Sequence, residues 1–142
     1  MSEVILVYSL VAFIIGFIGI RKSRYNAFGG NFFLNIVGAF VWADAAIFGI
    51  FWGVLSLILA LLDQTTLFLL FLSIFWIVRS LGEILYWMHE QFTVNKRNHT
   101  LPWSQFFQDD SILFVYQIFW QCIMVISILL TIYFAHKWLQ TI

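Results

Sequence analysis

Long apolar runs separated by short polar stretches form the main pattern of this chain. Since about 20 apolar residues cross a hydrocarbon core about 30 Å thick, the pattern predicts four membrane-spanning helices. They are placed near residues 4–20, 33–62, 67–91 and 111–135. The expected fold class is therefore all-α, an integral membrane four-helix bundle that forms a single domain over residues 1–142.

The second apolar run is longer than one span requires. As a continuous helix of about 30 residues it would extend about 45 Å. We therefore expect it to tilt, to kink near Gly49 and Gly53, or to begin with an interfacial stretch. A break at Gly49 into two short segments is an alternative, since irregular backbone is tolerated at membrane depth only where protein or water covers it.

Composition supports the same class of protein. Hydrophobic residues make up 63% of the chain and charged residues 10%, with a mean hydropathy of +0.95. This leaves too few polar side chains to cover a soluble domain, so the lipid bilayer is the expected partner. Zero net charge and scattered basic residues argue against a nucleic-acid partner. The single cysteine, Cys122, cannot form an internal disulfide and is predicted to be a small core residue.

Basic residues predict the orientation of the helices. Arg21, Lys22 and Arg24 follow the first apolar run, and Lys96 and Arg97 follow the third. Because lysine and arginine concentrate in cytoplasmic loops, both of these loops are expected in the cytoplasm and both termini outside. The expected location is the cell membrane, with several passes through it.

Three ionisable residues interrupt the apolar runs. Arg79 and Glu83 lie four residues apart in the third run and share a helix face, and Asp44 interrupts the second run. An uncompensated charge at the bilayer centre costs about 3 kcal/mol on insertion scales. The Arg79 guanidinium is therefore expected to meet Glu83 on its own helix and Asp44 across helices. Such a trio could line a polar path, or it could fix the register of the helices.

Other polar side chains fall near this trio. Tyr86 and Glu90 continue the face of Arg79 and Glu83, whereas Gln117 and Gln121 share a face of the fourth helix. Counted by the rise per residue, the trio and the two glutamines lie at overlapping depths of about 9 to 20 Å. The predicted binding or ion-pair network comprises Asp44, Arg79, Glu83, Tyr86, Glu90, Gln117 and Gln121.

Small residues recur at helical spacing in the first two runs. Gly16 and Gly19 lie on one stripe, and Gly49 and Gly53 lie on another. Because lipid gives helices no hydrophobic reason to associate, close backbone approach at small residues is what packs them together. These glycines predict the contact between helices one and two, or else a dimer seam. Four helices enclose little space, which favours a homo-oligomer.

Catalytic chemistry finds little support in the sequence. His89, His99 and His136 fall at three different places, so one subunit is not expected to bind haem or zinc through two of them. Nucleophile-elbow and zincin motifs are absent from the sequence. The chain is therefore expected not to be an enzyme and to have no catalytic residue, metal or cofactor.

Two strings carry a resemblance to a family. The segments Val78–Glu83 with Tyr86-Trp87, and Val115–Cys122, resemble small four-span bacterial membrane proteins, an uncharacterised family with no known activity. The resemblance covers nearly the whole chain and implies a bacterial inner membrane. It brings no substrate.

Three functions remain open at this point. The charged trio favours a small transporter or channel for an ion or small molecule that the sequence does not identify. The alternative is a non-catalytic membrane scaffold or subunit in which the charge network fixes helix packing. An enzyme or carrier acting on lipid, whose headgroup would meet Arg79 from the cytoplasmic side, has the least support.

Overall fold

The computed structural model describes residues 2–93 and 111–141. The helices are α1 (Ser2–Asn26), a short 3-10 helix (Phe32–Val37), α2 (Trp42–Leu61), α3 (Thr65–Phe92) and α4 (Ser111–Leu139). All four α-helices are long and apolar enough to cross a membrane. The predicted all-α fold with four spanning-length helices is confirmed. The basic residues Lys96 and Arg97, with His99, lie outside the described residues.

Of the alternatives for residues 33–62, a first stretch separate from the spanning helix agrees with the structure, whereas one continuous helix from residue 33 does not. The first part of this range is the 3-10 helix, which ends at Gly38 in the left-handed conformation (φ 70°). A residue without a Cβ adopts that conformation at little cost, so Gly38 ends the first segment. The helix proper begins only at Trp42 and continues through Gly49 to Leu61. The alternative break at Gly49 is therefore also wrong.

By contact density the chain forms two compact units, Met1–Leu69 and Leu70–Ile142. The first contains α1, the 3-10 helix, α2 and the first residues of α3. The second contains the rest of α3 and α4. A single domain over the whole chain stays a prediction.

In the first unit, α1 and α2 pack as an antiparallel pair. Gly16 lies against Gly49, whereas Gly19, further along α1, lies against Ala46, which is earlier in α2. A Cβ added to Gly49 would lie 2.4 Å from the Gly16 backbone nitrogen. The two backbones thus approach as closely as only glycine permits.

Polar and aromatic contacts extend the same interface. The Ser9 hydroxyl donates a hydrogen bond of 2.7 Å to the Gly53 carbonyl oxygen. A Cβ added to Gly53 would lie 2.7 Å from the ring of Phe13. The four glycines predicted from their spacing are therefore all found where α1 meets α2.

Backbone hydrogen bonds join the two ends of the connection between α1 and α2. The amide of Trp42 donates to the Gly29 carbonyl (2.9 Å), and the amide of Ala43 donates to the Ala27 carbonyl (3.1 Å). Val41, the N-cap of α2, makes no side-chain capping bond. Since the first amides of a helix have no partner within the helix, the carbonyls of the connection satisfy the start of α2.

Residues 31–39 turn back from this closure along α1. Leu34, Val37 and Ala39 are buried at 0–1% exposure. The Tyr8 hydroxyl donates a 3.1 Å hydrogen bond to the Ile36 carbonyl. Because Tyr8 lies about five turns before the end of α1, the 3-10 helix lies alongside α1 and not beyond its end.

An aromatic cluster fills the other end of this unit. Trp52 on α2 is fully buried. Its ring meets the rings of Tyr8 and Phe68 edge to face, at centroid distances of 6.1 and 6.0 Å. Such edge-to-face pairs stabilise the fold beyond the free energy gained by burying the apolar surface of the rings. Phe68, in the first turn of α3, thus belongs to the core of the first unit.

In the second unit, the end of α3 meets the first part of α4. The rings of Trp87 and Tyr116 stack at 5.0 Å with an interplanar angle of 24°. Most of α4 is exposed, including Cys122. The prediction that Cys122 is a core residue is therefore wrong, since this helix presents apolar side chains outward over most of its length.

Candidate functional site

An ion pair lies at the middle of α3. One Nη of Arg79 is 2.9 Å from Oε1 of Glu83, and the side chains are 17% and 16% exposed. By the rise per residue, Arg79 lies about 20 Å from either end of the helix. Nitrogen and oxygen at this distance form a charge-assisted hydrogen bond, which is stronger than a neutral one. The predicted pairing within α3 is present in the structure.

Polar residues continue from this pair toward the end of α3. Tyr86 and Glu90 follow Glu83 at intervals of three and four residues, which places all four on one side of the helix. Glu90 is 6% exposed, whereas Tyr86 is 38% exposed. The stripe from Arg79 to Glu90 is about 16 Å long by the helical rise. It therefore connects the middle of the helix to its last turn.

A buried hydroxyl follows Arg79 directly in the sequence. Ser80 is fully buried, and its Oγ has no hydrogen-bond partner among the described residues. By contrast, the Ser73 hydroxyl donates a 2.8 Å hydrogen bond to the Leu70 carbonyl. Sequence reasoning did not select Ser80, because a serine within an apolar helix usually bonds to its own backbone.

Gln117 bonds to a residue near the end of α3. Nε2 of Gln91 donates a 2.8 Å hydrogen bond to Oε1 of Gln117. Gln91 is three turns from Arg79 along α3, so Gln117 pairs at the end of the polar stripe. Gln121 is exposed. A polar layer that joins both glutamines to the ion pair stays a prediction.

Stacked rings accompany this hydrogen bond. Trp87, near the end of α3, is 8% exposed and stacks on Tyr116. Tyr116 also lines an apolar cavity of about 240 Å³, together with Ile112, Val115 and Phe119. The stacked pair thus joins α3 to α4 beside this cavity.

A double-mutant cycle on the two glutamines tests this contact. We expect Gln91→Leu and Gln117→Leu each to destabilise the protein, with a coupling energy of about 0.6 kcal/mol, the average for hydrogen bonds between membrane helices. The free energy of unfolding in detergent micelles is the measurement. Gln121→Leu is the control, because that side chain is exposed; equal coupling of Gln91 to both positions would contradict the assignment.

Asp44 lies at the start of a helix and not deep within one. It is in the first turn of α2, since that helix begins at Trp42. The Nζ atom of Lys22, near the end of α1, lies 4.3 Å from the Trp42 ring centroid. The predicted depth of Asp44, about 11 to 13 residues into a longer helix, is therefore wrong. A carboxylate is favoured in this place because the helix N-terminus carries partial positive charge. Its pairing with Arg79 stays a prediction.

Metal chemistry gains no support from the geometry. Within residues 2–93 and 111–141, no three His, Cys, Asp or Glu side chains come close enough to hold a metal ion. In comparisons with known proteins, no family model, curated protein or solved structure matches this chain. The function must therefore be argued from the site itself.

Proposed function

We propose that the protein is a small multi-pass membrane transporter or channel that moves an ion or small molecule past the Arg79–Glu83 pair. The supporting observation is the position of that pair, at the middle of a helix long and apolar enough to span a membrane. Ionisable side chains at such depth are costly and usually mark ion or substrate pathways.

The chemistry of the two side chains suits a site that opens and closes. Arg79 stays protonated, whereas the Glu83 carboxylate can accept a proton. A proton on Glu83 removes the negative charge that holds the guanidinium. An anionic substrate can likewise compete with Glu83 for Arg79. Either event releases Arg79 from its helix partner and gives the site two electrostatic states.

The polar stripe supplies a route toward one end of α3. Glu90 lies near the last turn of the helix, and Gln91 beside it bonds to Gln117. With the loop after α1 on the cytoplasmic side, as Arg21 and Arg24 predict, α3 runs inward and the stripe leads from the middle of the bilayer to the cytoplasm. Association into a homo-oligomer would enclose this route, in a bacterial inner membrane.

Flux measurements test the proposal. Purified protein in proteoliposomes is expected to pass protons, sodium, potassium or chloride under an imposed gradient. Glu83→Gln is expected to reduce that flux to the level of empty vesicles, because an amide cannot carry the charge of the carboxylate. Ion-sensitive dyes inside the vesicles give the readout.

A matched acid provides the control. Glu3→Gln removes a carboxylate from the first turn of α1, where the side chain is exposed, and is expected to leave flux unchanged. Flux that survives Glu83→Gln at the level of the unmodified protein would contradict a role for the pair. Circular dichroism on both variants establishes that the helices are retained.

A scaffold or subunit without transport is the second candidate. The observation that favours it is that Arg79 and Glu83 meet on one helix, so the two opposite charges already face each other within α3. Buried polar groups fix helix register in some bundles. This function predicts no flux of any of the four ions, and co-purification of a membrane partner whose binding depends on the pair.

A further inference from the structure

We propose that the connection between α1 and α2 is a docking surface for anionic phospholipid. This surface, which we call the basic-aromatic surface, consists of Arg21, Arg24, Tyr25, Phe28, Phe32 and Phe33. It belongs to the first unit alone and does not depend on the Arg79–Glu83 pair. The proposed occupant is a lipid with a negatively charged headgroup.

Charge is concentrated at this end of the first unit. Within residues 1–69 the sequence has three basic residues, and all three fall between Arg21 and Arg24. Each of them is exposed. Of the acidic residues in the same range, Asp44 alone lies at this end, in the first turn of α2, whereas Glu3 and Asp63 lie at the other ends of α1 and α2. A net positive surface therefore faces the headgroup region, where anionic lipids attract it.

Exposed aromatic side chains follow these cations in the sequence. Tyr25 is 93% exposed, and Phe28, Phe32 and Phe33 are 87%, 82% and 64% exposed. Rings this exposed would be costly in water, where their apolar surface has no cover. Acyl chains supply that cover, and rings near the headgroups are a common feature of membrane proteins.

The buried face of the 3-10 helix and a hydrogen bond from α1 hold part of this surface in place. In a 3-10 helix, with three residues per turn, side chains three apart share a face. Leu34 and Val37 accordingly form the buried face, whereas Phe33 and Ile36 form an exposed one. The hydrogen bond from Tyr8 to the Ile36 carbonyl fixes this segment alongside α1. The aromatic rings thus stand on a fixed support.

The cations and the exposed rings of this surface lie at different depths, which suit the headgroup and the acyl chains of a phospholipid. The hydrogen bond between Trp42 and Gly29 closes the connection near Lys22, whose Nζ lies over the Trp42 ring. From that closure, the 3-10 helix returns along α1 toward Tyr8. The cations therefore lie at the headgroup end, and the exposed rings of Phe32 and Phe33 lie on the acyl-chain side. This arrangement fits one amphiphile with its charge outward.

Native mass spectrometry of the full chain in detergent tests the proposal. The probes are phosphatidylglycerol and phosphatidylcholine with identical acyl chains, added in equal amounts. We expect phosphatidylglycerol adducts to exceed phosphatidylcholine adducts, and Arg21→Gln/Arg24→Gln to reduce the excess about 25-fold, about fivefold for each cation removed. Lys137→Gln, which removes an exposed cation of α4, is expected to leave the excess unchanged.

Two further measurements separate lipid from other sources of binding. Phe32→Ser/Phe33→Ser is expected to reduce adducts of both lipids, because the acyl chains lose their apolar contact. Glycerol phosphate, which has the headgroup charge without acyl chains, is expected not to compete. Equal retention of the two lipids, an equal loss with Lys137→Gln, or full competition by glycerol phosphate would each overturn the proposal. Variants that keep their helical circular dichroism remain valid reporters.

Discussion

Replacing Gly49 by alanine is expected to force α1 and α2 apart and to lower the free energy of unfolding by about 2 to 3 kcal/mol. The added Cβ would lie 2.4 Å from the Gly16 nitrogen, 2.5 Å from its Cα and 2.7 Å from the Ala12 carbonyl oxygen. All three atoms belong to the backbone, so no side chain can rotate away. The clash can be relieved only if a whole helix moves, and that movement would also lengthen the hydrogen bond from Ser9 to Gly53.

Gly82→Ala provides the matched control in the same type of structure. Gly82 lies within α3, and an added Cβ there meets nothing within 4 Å. Since alanine favours a helix by about 1 kcal/mol over glycine, this variant is expected to be as stable as the unmodified protein or more so. Unfolding of both variants in a mixed-micelle denaturant titration gives the comparison. Equal destabilisation of both would show that the close contact at Gly49 is not what limits substitution.

Removing the acid of the ion pair is expected to destabilise the protein more than removing the base. Glu83→Met leaves a guanidinium that cannot lose its proton, at a cost of about 3 kcal/mol on insertion scales. Arg79→Met leaves a carboxyl that can become neutral by accepting a proton, so its effect is expected to be smaller. The double variant Arg79→Met/Glu83→Met is expected to recover most of the loss, as replaced buried pairs often do.

The same denaturant titration measures all three variants. Their relative stabilities distinguish a desolvated pair from one that reaches water, because a hydrated guanidinium would tolerate the loss of its partner. Three variants of equal stability would therefore contradict a membrane-embedded pair. If the double variant is stable but carries no flux, the pair is needed for transport and not for folding.

Hydropathy predicted the ends of α1, α3 and α4 to within six residues, because a segment that crosses a membrane must be both long and apolar. For the second span it left the start of the helix open. The stretch from Gly29 to Gly38 is apolar enough to pass as helix, yet Gly29, Gly30, Asn31 and Gly38 mark a break. Mean hydropathy over a window does not register such residues, and so it could not decide whether residues 33–62 form one helix or begin with a separate stretch.

Residue spacing along a single helix correctly predicted the ion pair of the candidate site. Arg79 and Glu83 meet because residues four apart share a helix face, whatever surrounds them. The comparison of residue depths between different helices was wrong for Asp44. The predicted depth of Asp44 was wrong because α2 begins at Trp42, and the hydrogen bond between Gln117 and Gln91 was not predicted.

By itself, the sequence determined the helical class, the four apolar segments, the glycine stripes and the ion pair on α3. These follow from composition and from periods within one helix, which are local properties of the chain. Tertiary structure decided which glycines meet, how residues 31–39 return along α1, and which partner Gln117 takes. Those contacts join residues far apart in sequence, and their geometry exists only after the helices have packed.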